Sequence, residues 1–596
     1  MQRSLASVTR ILEPAAASSS RRVLPRALAA RARFSPAASS SSSSSGISRP
    51  LTSTPRRAHS TAAAPPLEPI PPISAEDTYD IVIIGGGPAG LALASALVSY
   101  KTLRDTTRIL LLEGGSLGPV RNWDDAGEWS NRVSSLTAEN IEWLDSIDAW
   151  KNIALHRSNA VDDIIVWANP DAGSHPMLHF PPQDKPLARM TENINTQRAL
   201  LRRLDEVPGV VSVREGARVT EMRYGEGRGW VGLKVGDDWV RASLVIGADG
   251  PNSPVRKFAN IETFGHAYDT HAVVATLEHA PQLVFPNHTA FQRFLPTGPL
   301  AFLPLSDTAS TMVWSTTPAL AAALKRLEIP ALVTAVNAGF SLSEPDLALM
   351  HDALLQADAA KAPLSAEALA GVLATLEPTA HTDAPLPPTV TNIPKASVAG
   401  FPLRLSHADQ YTAHRLALVG DACHTTHPLA GQGLNAGLAD ARVLAATLNT
   451  ARQVGSDLGS ITALAPYPRE RYLPNHLMLA TVDKLNSVFG SRNPLVNWAR
   501  STGLEVINEL GPLKSFFMAN AGSGISGQPR VGQLREFGRA NASDNLAGRP
   551  AGFTAAAADA FEGFQVVKNV ATATANVLGE GLKNALRRGA DSLERK

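Results

Sequence analysis

Cysteine is nearly absent from this chain: among 596 residues only Cys423 carries a thiol, so no disulfide can close within it. That fits a reducing compartment. One thiol beside His424 and His427 also supplies too few ligands for a structural zinc centre. An unbroken apolar span is missing as well. Residues 81–98 form an uncharged run of 18, long enough to raise the question of a bilayer. Three glycines and Pro88 interrupt it, which suits a buried strand, a turn and a helix instead. Net charge is small, +1, but it hides an asymmetry: residues 1–67 hold ten arginines, no lysine and one acid, Glu13. The other 529 residues are therefore at −8, and a mildly acidic body gives no reason to expect nucleic-acid binding.

What is present begins with that leader. Arg-rich, Ser-rich and acid-poor, residues 1–67 have the composition of a mitochondrial transit peptide and are expected to form a disordered leader, with a serine run at 39–45 inside it. A positive segment of this kind is drawn inward by a negative-inside potential. Ordered structure is expected near Thr78, where Tyr79-Asp80-Ile81-Val82-Ile83-Ile84 reads as a strand covered on both faces. Helical density over 91–100 and a second strand over 108–113 complete a βαβ unit. Residues 155–240 are mixed, with strands at 164–167 and 230–235 and a helix over 195–206. Further on come a buried strand at 244–250, antiparallel strands over 265–315, and helices over 317–380. A buried strand at 415–419, a helix over 432–450 and more helix after 460 follow. The stretch 522–549 is rich in Gly, Ser, Asn and Arg, as a linker is, and apolar residues recur at helical spacing beyond it.

Three segments carry chemistry. Gly85-Gly86-Gly87-Pro88-Ala89-Gly90 is a GxGxxG between a strand and a helix, and Glu113 stands at the end of the next strand. Gly85 allows the tight turn, Gly87 a close approach of backbone to a pyrophosphate, and Gly90 tight helix packing. The helix N-terminus offers free N–H groups and a favourable dipole to phosphate, while Glu113 can accept from a ribose. This points to a dinucleotide without choosing between NAD and FAD. Gly247-Ala248-Asp249-Gly250 sets an acid on a tight turn, and Gly420-Asp421 sets another at the end of a strand. Pro428, Gly431, Gly433, Leu434 and Asn435 then open a helix whose N–H groups can stabilise negative charge on a reduced flavin ring.

Together these segments resemble the signatures of the group A flavoprotein monooxygenases, the family of para-hydroxybenzoate hydroxylase. The resemblance implies an α/β fold: a Rossmann-like FAD-binding domain, an antiparallel β-sheet substrate domain and a helical C-terminal region. It implies that Gly85, Gly87, Gly90 and Glu113 bind the adenosine half of FAD. Asp249 and Gly250 would touch both cofactor regions, and Gly420 and Asp421 would hold the ribityl chain. A narrower similarity is to the ubiquinone-biosynthesis hydroxylases, carried by Ser130-Asn131-Arg132-Val133-Ser134-Ser135, Glu192-Asn193, Gln292 to Pro299, Phe401-Pro402-Leu403 and the run from Gly420 through Asp440. That branch implies an arginine, here Arg132, near the cofactor phosphates. The similarity spans about 78–520, with Cys423 where alanine is usual.

The domain expectation is a leader at 1–67, an FAD-binding domain at 78–260 with strands of the substrate domain inserted, and the substrate domain at 261–395. The second part of the FAD-binding domain is expected at 396–455, C-terminal helices at 456–524, and a linker with an amphipathic tail at 525–596. The implied reaction is hydroxylation, through a flavin hydroperoxide formed from dioxygen, of a polyprenylated 4-hydroxybenzoate-type ring. The resemblance further implies a ferredoxin and its reductase as electron source, since no nicotinamide motif is evident. It also implies peripheral attachment to the matrix face of the mitochondrial inner membrane, among other ubiquinone-biosynthesis proteins. No base for a phenol is named by the sequence, so no catalytic residue is assigned. Gln292 and Arg293 either border a substrate cavity or form a strand's solvent face, and His427 either meets flavin or substrate or only bonds its own loop. Two rival readings are an NAD(P)H-dependent hydroxylase of another phenol and a non-catalytic prenyl-binding escort on the same fold; intact Asp421 and its glycine run argue against the second.

Overall fold

Thr78–Ile84 enters the centre of a parallel sheet because its side chains have nowhere polar to point: Ile81, Val82 and Ile83 are fully buried. A strand apolar on both faces is the mark of such a sheet. In the computed structural model its order is Leu416–Leu418, Asp238–Gly247, Thr78–Ile84, Ile109–Leu112 and Val211–Arg214, all parallel. The structure describes residues 70–489, apart from 168–177, 181, 183–184, 283–285, 377–385 and 429–430. The expected leader, the helices beyond 489 and the amphipathic tail lie outside the described residues.

The uncharged run 81–98 divides as its glycines dictate, into the first strand, the turn and the helix Pro88–Ser99, buried from Gly90 to Val98. Pro88 sits at the helix start, where its missing N–H costs nothing. Among the described residues no helix is long and apolar enough to cross a membrane. The helix Gln432–Gln453 packs beside Pro88–Ser99, and the helix Pro466–Phe489 packs in turn on Gln432–Gln453.

A second, mostly antiparallel sheet runs Ala399–Ala408, Thr263–His279, Ala309–Thr316, Gly298–Pro304, Thr289–Leu295 and Asp163–Trp167, the last pair parallel. One face packs through Val273, Ala275, Leu277, Phe302, Met312 and Trp314 against the helices between Pro318 and Ala374. On the strand Thr289–Leu295, Phe291 and Leu295 join that helical face. Alternation sends Ala290, Gln292 and Phe294 to the other.

Arg293 corrects both expectations for it. It is completely buried under the helices, donating to the carbonyls of Gly339 (2.8 Å) and Leu342 (2.5 Å) at the end of the helix Ile329–Ser341. A cation at a helix C-terminus meets unsatisfied carbonyls and the negative end of the dipole, so this side chain neither borders a cavity nor meets solvent.

Two buried histidines give the fold a pH signature. His351, beside Trp314, is held neutral down to about 4 by burial, with Arg293 adding to the effect and Asp352 opposing it. His407 is likewise pushed down to about 4, by burial first and then by His424 and His476. An unfolded histidine titrates near pH 6.5. Between 6.5 and 4 the unfolded chain therefore binds more protons. The stabilisation is complete above about 6.5 and is lost as pH falls toward 4, at roughly 1 kcal/mol per pH unit for each histidine. Thermal melts from pH 7.5 to 5 should show a falling midpoint, and His351→Leu should flatten that slope. An unchanged slope in the variant would contradict the assignment.

Candidate cofactor site

Three turns converge where the first sheet ends. At Gly85 φ is +113°, and a β-carbon there would sit 2.2 Å from the Ala248 carbonyl oxygen; one on Gly90 would sit 2.0 Å from that of Gly85. Strand, turn and helix are thus pressed too closely for any side chain at either position. Gly87 differs: a β-carbon added there meets nothing within 4 Å, so the backbone at the helix start borders open space. Gly420, at φ +61°, closes the site from the other side. A β-carbon on it would lie 3.1 Å from Ala89 Cβ, and one on Gly437 would lie 3.3 Å from Gly420 Cα. Ala89, Gly420 and Gly437 therefore lock the first helix, the Gly420-Asp421 loop and the helix Gln432–Gln453 together.

The acids behave differently from one another. Glu113 accepts from the Gly86 N–H at 2.6 Å and the Gly115 N–H at 2.7 Å, so its carboxylate already shapes the glycine turn. Asp249 accepts from the Val255 N–H at 3.1 Å; burial pushes its carboxyl up, against hydrogen bonds from Ser253 and that N–H. Beside it, Gly250 (φ +80°) borders open space. Asp421 is accessible, yet the surrounding protein pushes its carboxyl up, with His424 and Arg404 opposing. A group both accessible and enclosed lines a concavity.

Arg132 is exposed, and its guanidinium has no hydrogen-bond or ion-pair partner among the described residues. Its carbonyl accepts from the Asn193 N–H at 2.9 Å, the first residue of the helix Asn193–Asp205. Gln197, one turn later on that helix, donates to the Gly86 carbonyl at 3.1 Å, which ties Arg132 to the glycine turn. Nothing in the spacing around Gln197 marks it in the sequence.

Pro428, Gly431, Gly433 and Leu434 lie at the start of the helix Gln432–Gln453, half-buried, with Gly431 left-handed at φ +58° as its cap. Asn435 uses its side chain within the scaffold. Its side chain is buried, donating to the Ser135 carbonyl at 2.6 Å and accepting from Asn140 at 2.9 Å and the Thr137 N–H at 3.2 Å. It pins the strand Val133–Thr137 to this helix. His427 is buried, with its ring edge-on to Tyr268 at 5.3 Å and its basicity lowered to about 4 by burial.

Behind the loop stands Asp440, fully buried. It accepts from His424 at 2.7 Å, Arg471 at 2.9 Å, Asn475 at 3.0 Å and the Gly420 N–H at 3.2 Å. Burial alone would raise its carboxyl; His424 and Arg471 outweigh that and bring it to about 2. Cys423 and His424 are engaged here, with Tyr467 and Asp440.

A parallel sheet with a glycine turn at its centre, an open helix N-terminus and a second enclosed acid is the architecture of an FAD-binding oxidoreductase. A family model described as an FAD binding domain matches residues 78–329 and 378–471. The mitochondrial ubiquinone biosynthesis monooxygenase COQ6 of Schizosaccharomyces pombe is 38% identical over 457 residues, covering 75% of this chain and 92% of that protein. Its Homo sapiens counterpart is 37% identical over 457 residues, covering 75% and 93%. Among solved structures, p-nitrophenol 4-monooxygenase PnpA from Pseudomonas putida superposes at TM-score 0.53 with 17% identity, covering 76% of this chain and 99% of that one. PqsL of Pseudomonas aeruginosa, titled a probable FAD-dependent monooxygenase, does so at 0.51 with 20% identity, covering 72% and 100%. The chain belongs to the FAD-binding monooxygenases and, within them, to the ubiquinone biosynthesis branch.

The cofactor is FAD, and the site can be tested at its two ends. Gly87→Leu should fill the open approach at the helix start, and Asp421→Ala should remove the enclosed acid. Each should purify with well under half the wild-type flavin content, read from absorbance at the flavin band against protein. Full flavin in both variants would show that these residues do not hold it.

Proposed function

We propose that this chain hydroxylates the aromatic ring of a polyprenylated 4-hydroxybenzoate-type intermediate in ubiquinone biosynthesis. The observation that carries this is the joining of the glycine turn to the Gly420-Asp421 loop through Ala89 and Gly437, in a chain matching nearly the whole length of its ubiquinone-pathway relatives. FAD, when bound and reduced, would supply the two electrons that let one atom of dioxygen enter the ring while the other leaves as water.

The protein's own part is placement. The open N-terminus at Gly87, with Gly85 and Gly90 shaping it, receives the pyrophosphate, and Arg132 adds a free cation to it. Glu113 keeps lone pairs for the ribose beyond those used on Gly86 and Gly115. Asp421 accepts from the ribityl hydroxyls, and Asp249 with Gly250 borders both ends. The N–H groups of Gln432, Gly433 and Leu434, at the start of the helix capped by Gly431, face the pyrimidine end, where negative charge develops on reduction. On the substrate side, the sheet face carrying Gln292 and Phe294 walls the reacting ring and limits its contact with water. A phenol directs attack to the position ortho to its hydroxyl.

A polyprenyl tail does not dissolve freely, so the site should open toward a membrane surface. We place the protein in the mitochondrion, peripherally on the matrix face of the inner membrane, with other ubiquinone-synthesis proteins and a ferredoxin with its reductase as donor. The mitochondrial names of the relatives and the Arg-rich leader support the compartment. The leader is expected to be removed between about residue 35 and the strand starting at Thr78.

Cells lacking this chain should lose ubiquinone and accumulate a precursor that is not yet hydroxylated. Feeding an already hydroxylated ring analogue, 3,4-dihydroxybenzoate or vanillate, should restore ubiquinone as measured by mass spectrometry. Normal ubiquinone in unfed deficient cells would refute the pathway. Rapid flavin reduction by NADPH alone would refute only the ferredoxin route.

A further inference from the structure

Residues 122–132, between the short helix Gly118–Arg121 and the strand Val133–Thr137, form neither helix nor strand, yet they end on the unpartnered Arg132. A loop without a ladder must find other partners for its backbone. The carbonyls of Trp123 and Trp129 accept from Arg198 and Thr276, and Gly127, Glu128 and Ser130 find their partners in one buried ion pair. Arg157, 4% exposed, meets Glu192, 0% exposed, through two parallel bonds: Nε to Oε2 and Nη2 to Oε1, both 2.8 Å. The remaining capacity of both side chains goes to this loop. Arg157 donates to the carbonyls of Gly127 (2.7 Å) and Glu128 (3.0 Å), and its guanidinium lies 3.8 Å from the Trp129 ring centroid. Glu192 Oε1 accepts from the Ser130 N–H at 2.7 Å. Four successive residues, 127–130, are thereby held by one pair, and the Ser130 hydroxyl accepts from the Arg132 N–H at 3.1 Å. Glu192 also precedes the helix whose Asn193 holds the Arg132 carbonyl and whose Gln197 holds the Gly86 carbonyl.

We propose that the Arg157–Glu192 pair is a positioning device for the cofactor's pyrophosphate, fixing the 127–130 backbone so that Arg132 is delivered to the phosphates. This rests on the reading of Arg132 as a phosphate ligand. Stability does not explain the pair, because replacing a buried ion pair by packed apolar side chains is often neutral or favourable. Pre-organisation does. An arginine on an irregular loop would otherwise lose conformational freedom when the cofactor binds, and a loop already fixed avoids that cost.

The test is a double-mutant cycle on the full chain, stripped of flavin and titrated with FAD. Arg157→Lys keeps the charge and loses the fork that reaches Gly127 and Glu128. It should weaken FAD binding by about tenfold, the order expected for losing one well-placed charge-assisted hydrogen bond. Arg132→Ala should weaken it by a similar factor. In the Arg132→Ala background, Arg157→Lys should add less than about twofold, because the pair acts through Arg132. An equal loss with and without Arg132 would overturn the proposal, as would unchanged FAD binding in a folded Arg157→Lys protein. Unchanged binding in Arg132→Ala alone would instead overturn the underlying reading of Arg132.

The paired replacement Arg157→Met with Glu192→Leu guards against a folding defect. It should keep the wild-type melting temperature within a few degrees while lowering FAD affinity as Arg157→Lys does. If neither variant keeps a wild-type circular-dichroism spectrum, the pair is a folding element and the proposal fails.

Discussion

The Gly420-Asp421 loop and the helices behind it hang from the Asp440 carboxylate. It sits on the helix Gln432–Gln453, fully buried, and its two oxygens are shared among the Gly420 N–H, His424, Arg471 and Asn475. Those four partners belong to both ends of the Gly420–His424 loop and to the helix Pro466–Phe489. A carboxylate in such a place would ordinarily be driven to its neutral form. Here Arg471 and the surrounding hydrogen bonds keep it charged, and the charge in turn keeps the loop from relaxing. Removing any one partner would leave part of a buried charge uncompensated, a cost of several kcal/mol.

That anchor matters because the loop is only one jaw. The other is the glycine turn, and the two meet through Ala89, Gly420 and Gly437, where backbones approach with no room for larger side chains. The glycine turn and the Gly420-Asp421 loop are consequently fixed relative to each other by van der Waals contact rather than by a flexible hinge. Glu113 holds the turn from the far side through Gly86. Asn435 and Asn140 tie the strand Val133–Thr137 to the same helix. The cleft is therefore framed before any ligand arrives, which is how an enzyme limits the ordering cost of a large cofactor.

The parts of this frame that were legible in the sequence are those where backbone geometry dictates the residue. Gly85, Gly90 and Gly420 are demanded by positive φ or by contacts near 2–3 Å, so they can be read from letters and spacing alone. The first strand and helix follow equally well, because burial on both faces leaves an uninterrupted apolar record. Side-chain partnerships were not legible. Arg157 finds Glu192 across 35 positions and Arg471 finds Asp440 across 31, with no local pattern to announce either pair. Arg293 was misplaced for a related reason: alternation along a strand gives two faces without saying which one is covered. A buried arginine between apolar neighbours is unexpected until the helix end it serves is known. Asn435 likewise sits in a motif that suggests ligand contact while its amide serves the scaffold.

These buried polar groups sort by what they hold. Arg293 bonds carbonyls left over at a helix end in the second sheet's core, a purely structural need. Asp440 and the Arg157–Glu192 pair instead hold irregular backbone: a loop of glycine, acid and alanine in one case, residues 127–130 in the other. Neither place has a sheet ladder or a long helix to satisfy its backbone, so its N–H and carbonyl groups need other partners. A segment freed from helix and sheet loses the ladder that would have fixed it, and apolar packing alone is non-directional and does not set an N–H to within a few tenths of an ångström. A buried ion pair with hydrogen bonds left over does set it, at the cost of desolvating two charges. The concentration of such groups around the cofactor cleft, against the apolar core of both sheets, follows from that difference.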